Sequence, residues 1–276
     1  MSETIHQSEL QIDGPLARLS LNHAPLNILT TELRRQMLDQ IGLIERDRTI
    51  RVVVFQSACP RAFSVGSDLK EFPHNETDGR QKIQFEQFLL QRIEGLDAIT
   101  IACLSGYVLG GGAELMLATD LRIAAEDAQF GFPEVKLGGF PAAGGVWRLV
   151  RDIGLVRAKE LLFFGKTIPA LTARDLGLIN ECVPKQQLKQ RLDQLIDDLL
   201  KLPQSSLLAI KRTAALASAG SGGRAGIDSQ VTDEYGKLFL QQDMFEGILA
   251  FLEKRQPQFN RAPAVEKSPQ QGRVPK

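Results

Sequence analysis

The amino-acid sequence predicts an α/β fold, built from stacked units of strand, strand and helix and followed by a region of helices alone. Residues 10–55 carry apolar patterns in the order strand, strand, helix, strand. A buried apolar run that leads through a glycine-containing turn toward a helix occurs at residues 52–71 and again from residue 99. Beyond residue 183 the apolar residues recur at helical spacing. The last part of the chain is therefore predicted to be helical.

The N-terminal elements are predicted from alternation and from helical spacing. Apolar and polar residues alternate on both sides of Asp13-Gly14, which is typical of a β-hairpin over residues 10–19. From a threonine cap at residue 30 or 31, apolar residues recur every three to four positions as far as residue 46, which predicts a helix. The apolar run at residues 52–55 predicts a buried strand.

The remaining elements divide the chain into a core and a helical region. The core, residues 1–185, is predicted to have helices at 80–96, 144–150, 155–164 and 172–176 and strands at 99–104, 121–125, 128–131 and 178–183. The C-terminal helical region, residues 186–260, is predicted to have helices at 186–200, 205–217 and 235–255, with a flexible break at 218–226. Residues 261–276 are rich in Pro, Gln and charge, so a disordered tail is predicted there.

Composition limits the classes of function that the chain can have. Hydrophobic residues make up 43% of the 276 residues, enough for a substantial core. Lys+Arg and Asp+Glu are equal at 33 each, so no overall field favours nucleic acid or an anionic membrane. The three cysteines lie at no metal spacing, and neither a signal segment nor a long apolar run is visible. A cytoplasmic protein with free thiols is therefore expected.

Residues 105–145 carry the side chains with the clearest chemical meaning. Three consecutive glycines at 110–112 end an apolar run and open a helical pattern. Glycine allows the backbone to approach a ligand closely, and a helix N-terminus presents unpaired N–H groups, so negative charge can be stabilised here. Glu114 and Glu134 follow 20 residues apart, each among apolar neighbours.

The same residues also have purely structural interpretations. Glu114 falls in the first turn of the predicted helix, where the helix dipole alone favours an acidic side chain. A glycine run is typical of a turn, and the Gly-Lys-Ser/Thr ending of a nucleotide-binding loop is missing. None of the three histidines lies in this stretch, so neither a histidine base nor a metal site is expected.

Four motifs, spread over nearly the whole chain, occur in a characteristic order. They read L-N-H-A-P-L-N-I-L from Leu21, F-S-V-G-S-D-L-K-E from Phe63, G-Y-V-L-G-G-G-A-E-L from Gly106 with A-Q-F-G-F-P-E from Ala128, and E-G-I-L-A-F-L-E-K-R from Glu246. This set resembles the crotonase (enoyl-CoA hydratase/isomerase) superfamily. The resemblance implies a spiral of repeated β-β-α units with a C-terminal helical oligomerisation region.

The resemblance also implies a reaction, the reversible addition of water across the 2,3 double bond of an α,β-unsaturated acyl-CoA. Such a reaction needs a base for water, an acid for the α-carbon, and donors for the enolate-like thioester oxygen. By resemblance, Glu114 and Glu134 form the acid/base pair, and the backbone N–H groups of Ser67 and Gly111 form the oxyanion hole. Coenzyme A is part of the substrate, so no separate cofactor is expected.

Further residues are implied by resemblance to hold the CoA moiety. Those of the first two motifs are Leu26, Val65, Asp68 and Leu69. Phe251 and Lys254, expected on one face of the last helix, are implied to contact the adenine and the 3′-phosphate in a neighbouring subunit. The expected partners are therefore the acyl-CoA substrate and further copies of the chain, as a homotrimer or a dimer of trimers, without nucleic acid or membrane.

Other reactions of the superfamily stay open from sequence alone. Both glutamates are present, which favours a hydratase over an enoyl-CoA isomerase, because isomerases often keep one carboxylate. His23 in place of a lysine, Phe132 in place of a glutamine and Ala142 predict an altered acyl pocket. F-P-E-V-K-L-G with G-G-V-W-R-L is also similar to the carnitinyl-CoA dehydratase branch, although Ser67 departs from the tryptophan expected there. A non-catalytic CoA- or RNA-binding scaffold is the remaining alternative.

Overall fold

The computed structural model describes residues 7–219 and 223–260 of the chain. Contacts within the chain define two compact units, Met1–Leu200 and Lys201–Lys276. The predicted tail at residues 261–276 lies outside the described residues. Within the described ranges, none of the helices combines the length and the apolar character that a membrane span requires.

The first unit contains strands and helices in alternation. Its strands are β1 (Ser8–Asp13), β2 (Leu16–Leu21), β3 (Ile28–Leu29), β4 (Val52–Ser57), β5 (Ala62–Ser64), β6 (Gly66–Ser67), β7 (Ile99–Leu104), β8 (Tyr107–Leu109), β9 (Leu121–Ala125), β10 (Gln129–Gly131), β11 (Thr167–Pro169) and β12 (Glu181–Val183). Its helices are α1 (Thr31–Arg46), α2 (Glu76–Glu94), α3 (Gly111–Leu117), α4 (Gly145–Ile153), α5 (Leu155–Phe164), α6 (Ala170–Asp175) and α7 (Leu188–Lys201). The second unit contains α8 (Gln204–Ala219), α9 (Gly223–Leu238) and α10 (Gln242–Leu252).

Three sheets organise the first unit. A six-stranded sheet has the order β1-β2-β4-β7-β9-β12, in which β1 pairs antiparallel with β2 and the other neighbours are parallel. A four-stranded sheet has the order β11-β10-β8-β5, and β3 pairs with β6. The predicted α/β class is confirmed.

The core explains why these segments fold as they do. Strands β4 and β7 are buried along most of their length, as expected of central strands of a parallel sheet covered on both faces. Helix α1 packs its periodic apolar residues into the same core. Thr30 is its N-cap, because the side-chain oxygen accepts a hydrogen bond from the Leu33 amide at 3.0 Å.

The second unit differs from the sequence prediction. The helix predicted at 235–255 is α10, which begins at Gln242, and it is preceded by α9, which starts at Gly223 inside the predicted break. Three glycines at 223, 226 and 236 and the lack of a continuous apolar face hide α9 from pattern analysis. The sequence also does not predict the short strands β3, β5, β6, β8 and β11, because two or three residues are too few to show alternation.

Close packing requires a glycine at position 112, so replacing it should destabilise the protein. A Cβ at Gly112 would lie 2.6 Å from the Ser64 carbonyl oxygen, whereas a Cβ at Gly79, in helix α2, would meet nothing within 4 Å. Gly112→Ala should therefore lower the free energy of unfolding by about 1–3 kcal/mol, while Gly79→Ala should raise it by roughly 0.5–1 kcal/mol. Urea denaturation of both variants checks this; equal effects at the two positions would contradict it.

Candidate active site

Two neighbouring parallel strands position the two predicted catalytic glutamates. Strand β8 pairs with β10 so that Leu109 lies opposite Gly131, and the next amide, that of Gly110, donates to the Gly131 carbonyl at 3.0 Å. Glu114 follows the end of β8 by five residues, and Glu134 follows the end of β10 by three. Because the carboxyl ends of parallel strands lie at the same sheet edge, both glutamates follow strands that end next to each other.

Glu114 lies in the first turn of α3 and is almost completely buried, at 4% exposure. Its Oε1 accepts a hydrogen bond from the Gly145 amide at 2.9 Å. A Cβ at Gly145 would stand 2.8 Å from the same oxygen, so a glycine is needed there. Burial raises the pKa of Glu114 to about 8; the Gly145 N–H opposes this, and the carboxylates of Glu134 and Glu86 add to it.

Glu134 lies in a short 3₁₀ turn, Pro133–Leu137. Its Oε2 is buried and has no hydrogen-bond partner among the described residues, and its Oε1 lies 3.2 Å from where a Cβ of Gly110 would stand. Burial raises the pKa of this carboxyl too. An unsatisfied buried oxygen is unfavourable for stability, so this one is available to accept a proton or a hydrogen bond from a ligand.

Ser67 and Gly111 lie side by side. A Cβ at Gly111 would stand 3.5 Å from the Ser67 hydroxyl oxygen, and a Cβ at Gly66 would stand 3.0 Å from the Gly111 amide nitrogen. Gly66 has a φ of +95°, in the left-handed region that glycine adopts without strain. The two predicted donor residues therefore meet at the N-terminus of α3, the end of the helix that carries Glu114.

Residues of the first two motifs also come together. The Val65 amide donates to the Leu26 carbonyl at 3.2 Å, and Asp68 caps the following turn by accepting from the Lys70 amide at 2.9 Å. Leu69 is exposed. Asn27 fixes the first loop, since its side-chain amide donates to Phe63 O at 3.0 Å and to Ser57 Oγ at 2.7 Å. Binding of CoA by these residues stays a prediction.

Phe251 and Lys254 lie in the second unit, and their predicted shared helical face is wrong. Helix α10 ends at Leu252, and Lys254 has a φ of +54°. The Arg255 amide donates back to the Ala250 carbonyl at 3.0 Å, which closes the helix before Lys254. Phe251 is 83% exposed. Their contact with CoA stays a prediction.

Two buried charged residues beside the site were missed from the sequence. Arg34 and Glu86 are 4% and 5% exposed and form an ion pair at 3.2 Å, with Lys82 2.7 Å from the same Glu86 oxygen. Helical spacing could have revealed them, because Arg34 precedes Met37 by three positions on α1 and Glu86 precedes Leu89 and Leu90 by three and four on α2.

A small cavity lies between this ion pair and two of the predicted site residues. Arg34 and Glu86 line it together with Gly111, Glu114 and apolar side chains of α1, α2 and α3. About 20 Å³ of it is open to the centre of a water molecule, enough for roughly one water. The site thus combines two carboxyls of raised pKa, two neighbouring main-chain positions and one small, mostly apolar cavity, which suits proton transfer next to a developing oxyanion.

Comparisons with known proteins identify the family. A model of the family described as enoyl-CoA hydratase/isomerase matches residues 11–262. The chain belongs to the enoyl-CoA hydratase/isomerase family. The predicted membership, fold class and enzymatic nature are thereby confirmed.

Individual relatives align with most of the length of this chain. A probable mitochondrial enoyl-CoA hydratase 2 of Arabidopsis thaliana is 33% identical, over 90% of this chain and 80% of that protein. A short-chain enoyl-CoA hydratase of Clostridium acetobutylicum is 32% identical, over 89% and 94%. The crystal structure of an enoyl-CoA hydratase from Bacillus anthracis superimposes with a TM-score of 0.85 at 30% identity, covering 92% of this chain and 98% of that one.

The burial of Glu114 should make the stability of the protein depend on pH. Its pKa is about 8 in the folded protein against an ordinary value of 4.5, so the folded state binds more protons and loses stability as pH rises between these values. Glu114→Gln should therefore be more stable than wild type above pH 8, by about 5 kcal/mol, with the gain shrinking toward pH 4.5. Thermal unfolding across this range checks it, with the exposed Glu126→Gln as control. A pH-independent difference would contradict the prediction.

Proposed function

We propose that this family member is an enoyl-CoA hydratase, which adds water reversibly across the 2,3 double bond of an α,β-unsaturated acyl-CoA. The observation that carries the proposal is that the β8–β10 pair brings the buried Glu114 and the half-buried Glu134 to one sheet edge, where Glu134 raises the pKa of Glu114 and Gly111 lies beside Ser67. The relatives named as hydratases support the same reaction.

The proposed mechanism uses the carboxyl pair with one proton between them. Burial and mutual repulsion disfavour the doubly ionised pair, so one proton is retained by the pair as a unit. The ionised carboxylate removes a proton from water while the water oxygen bonds to the β-carbon. The π electrons move to the thioester, whose oxygen becomes enolate-like and accepts hydrogen bonds from the Ser67 and Gly111 amides.

Protonation of the α-carbon completes the addition. The protonated carboxyl of the pair delivers its proton to the α-carbon, and the electrons of the enolate return to form the new C–H bond. The proton taken from water stays on the other carboxyl, so the pair again holds one proton. The reverse sequence eliminates water.

Removing either carboxyl tests the proposal. Wild type should consume the conjugated-thioester absorbance of crotonyl-CoA, while Glu114→Gln and Glu134→Gln should each lower kcat by about 10²–10⁴-fold, because general acid–base assistance is lost. Glu126→Gln, an exposed change between the two positions in the chain, should leave kcat unchanged. Labelled water should place its oxygen in the product.

Other outcomes of the same assay favour the alternatives. Double-bond migration in a 3-enoyl-CoA without incorporation of water oxygen would favour the isomerase. Turnover of carnitinyl-CoA above all other thioesters would favour the dehydratase branch. CoA binding without turnover of any thioester would favour a non-catalytic scaffold.

The pH dependence follows from the shared proton. Activity should fall at low pH, where both carboxyls are protonated and no base remains. It should also fall as pH rises through about 8, the value to which burial raises the pKa of Glu114, because the pair then loses its acid. Measurements of kcat/KM between pH 5 and 10 check this. A rate that keeps increasing above pH 9 would exclude a protonated carboxyl from the mechanism.

Assembly and location remain predictions within this proposal. We expect the chain to form homotrimers or pairs of trimers that act in the cytoplasm, with Phe251 and Lys254 reaching the CoA of a neighbouring subunit. Light scattering of the purified protein gives the assembly state directly.

A further inference from the structure

Arg34 bridges strands β3 and β6, the second of which carries Ser67, one of the proposed oxyanion donors. Its Nη2 donates to the Ser67 hydroxyl oxygen at 2.8 Å, and its Nη1 donates to the Leu29 carbonyl. Leu29 and Ser67 lie opposite each other in the β3–β6 pair. A single buried guanidinium therefore binds both members of this pair, one through its main chain and the other through its side chain.

We propose that Arg34, held by Glu86, is a positioning residue that fixes Ser67 so that its main-chain N–H meets the thioester oxygen. This inference rests on the proposed hydration and adds a residue that acts through Ser67. The β3–β6 pair has only two residues in each strand, so its own ladder constrains Ser67 weakly. Oxyanion donors act only when they are held close to the productive geometry, and a misplacement of 1 Å is worth up to roughly 10²-fold in rate.

The surroundings of Arg34 explain why its charge is tolerated. The carboxylates of Glu86, Glu114 and Glu71 all interact favourably with the guanidinium, against the unfavourable effect of burial. Glu86 is shared with Lys82, whose Nζ lies 2.7 Å away. When Arg34 is replaced, Lys82 still compensates Glu86, so a variant at position 34 does not leave a lone buried carboxylate.

The side chain of Ser67 provides the sharpest test, because Ser67→Ala removes the contact with Arg34 and keeps the main-chain N–H. Arg34→Met should lower kcat for crotonyl-CoA by about 10- to 100-fold with KM little changed. Ser67→Ala should lower kcat in the same direction by a smaller factor. The double variant should be no slower than Arg34→Met alone, since both changes break one interaction.

The pH profile distinguishes this role from a merely structural one. Among the described residues, the charged groups that shift the pKa of Glu114 are Glu134, Glu86 and Arg34; burial raises this pKa most, the two carboxylates raise it further, and the Arg34 charge lowers it. Arg34→Met should therefore move the alkaline limb of kcat/KM to higher pH. Arg34→Lys keeps the positive charge, so it should leave that limb near its wild-type position. It should still lower kcat, because an ammonium group does not bond the Leu29 carbonyl and the Ser67 hydroxyl in the fixed geometry of the guanidinium.

A second buried arginine serves as a matched control. Arg122 is ion-paired with Asp152 at 2.6 Å and donates to the carbonyls of Met116, Leu117 and Thr119, at and beyond the other end of α3. Arg122→Met should lower the melting temperature without moving the alkaline limb.

Specific outcomes would overturn the inference. Unchanged kcat in Ser67→Ala, or losses that multiply in the double variant, would show that Arg34 does not act through Ser67. Wild type inactive on every enoyl-CoA would refute the proposed hydration and this role with it. Wild-type turnover with Arg34→Met at full rate would refute the role of Arg34 alone.

Discussion

Pairing of β8 with β10 places Leu109 opposite Gly131, and the Gly110 amide extends the pairing by donating to the Gly131 carbonyl. The placement of both glutamates follows from this parallel contact. The chain leaves β8 into α3 and Glu114, and leaves β10 into the turn with Glu134. Gly110 must stay small, since a Cβ there would stand 3.2 Å from Glu134 Oε1. The separation of the glutamates in sequence therefore becomes proximity through one pair of strands.

Charge burial is the second constraint. Glu114, Glu86 and Arg34 are all nearly inaccessible, and each would be unfavourable alone. Arg34 and Lys82 compensate Glu86, but Glu114 receives one direct hydrogen bond, from Gly145, and Glu134 leaves one oxygen unsatisfied. The charges of Arg34 and Glu86 are thus compensated by ion pairs, whereas Glu114 and Glu134 keep the unfavourable burial that is typical of functional sites.

The sequence predicted more of the scaffold than of the site. Long apolar patterns gave α1, β4 and β7 because burial imposes periodicity on many residues. The contact between Arg34 and Ser67 could not be predicted, because it depends on how α1 packs over a two-residue strand pair. Lys254 illustrates the limit at helix ends, since three-residue spacing implies a shared face only while the helix continues.

A main-chain donor, as proposed for Ser67, separates the role of the residue from the identity of its side chain. Every residue except proline supplies an amide N–H at position 67, so the side chain there can act only through the position of the backbone. In this chain the side chain at position 67 is a hydroxyl, which accepts a hydrogen bond from the buried guanidinium of Arg34. The glycines have no such freedom: Gly66, Gly110 and Gly145 lie against main-chain or carboxyl atoms of the site. If Ser67 supplies a main-chain donor as proposed, its side chain therefore acts by holding the backbone in place, through its hydrogen bond with the buried Arg34.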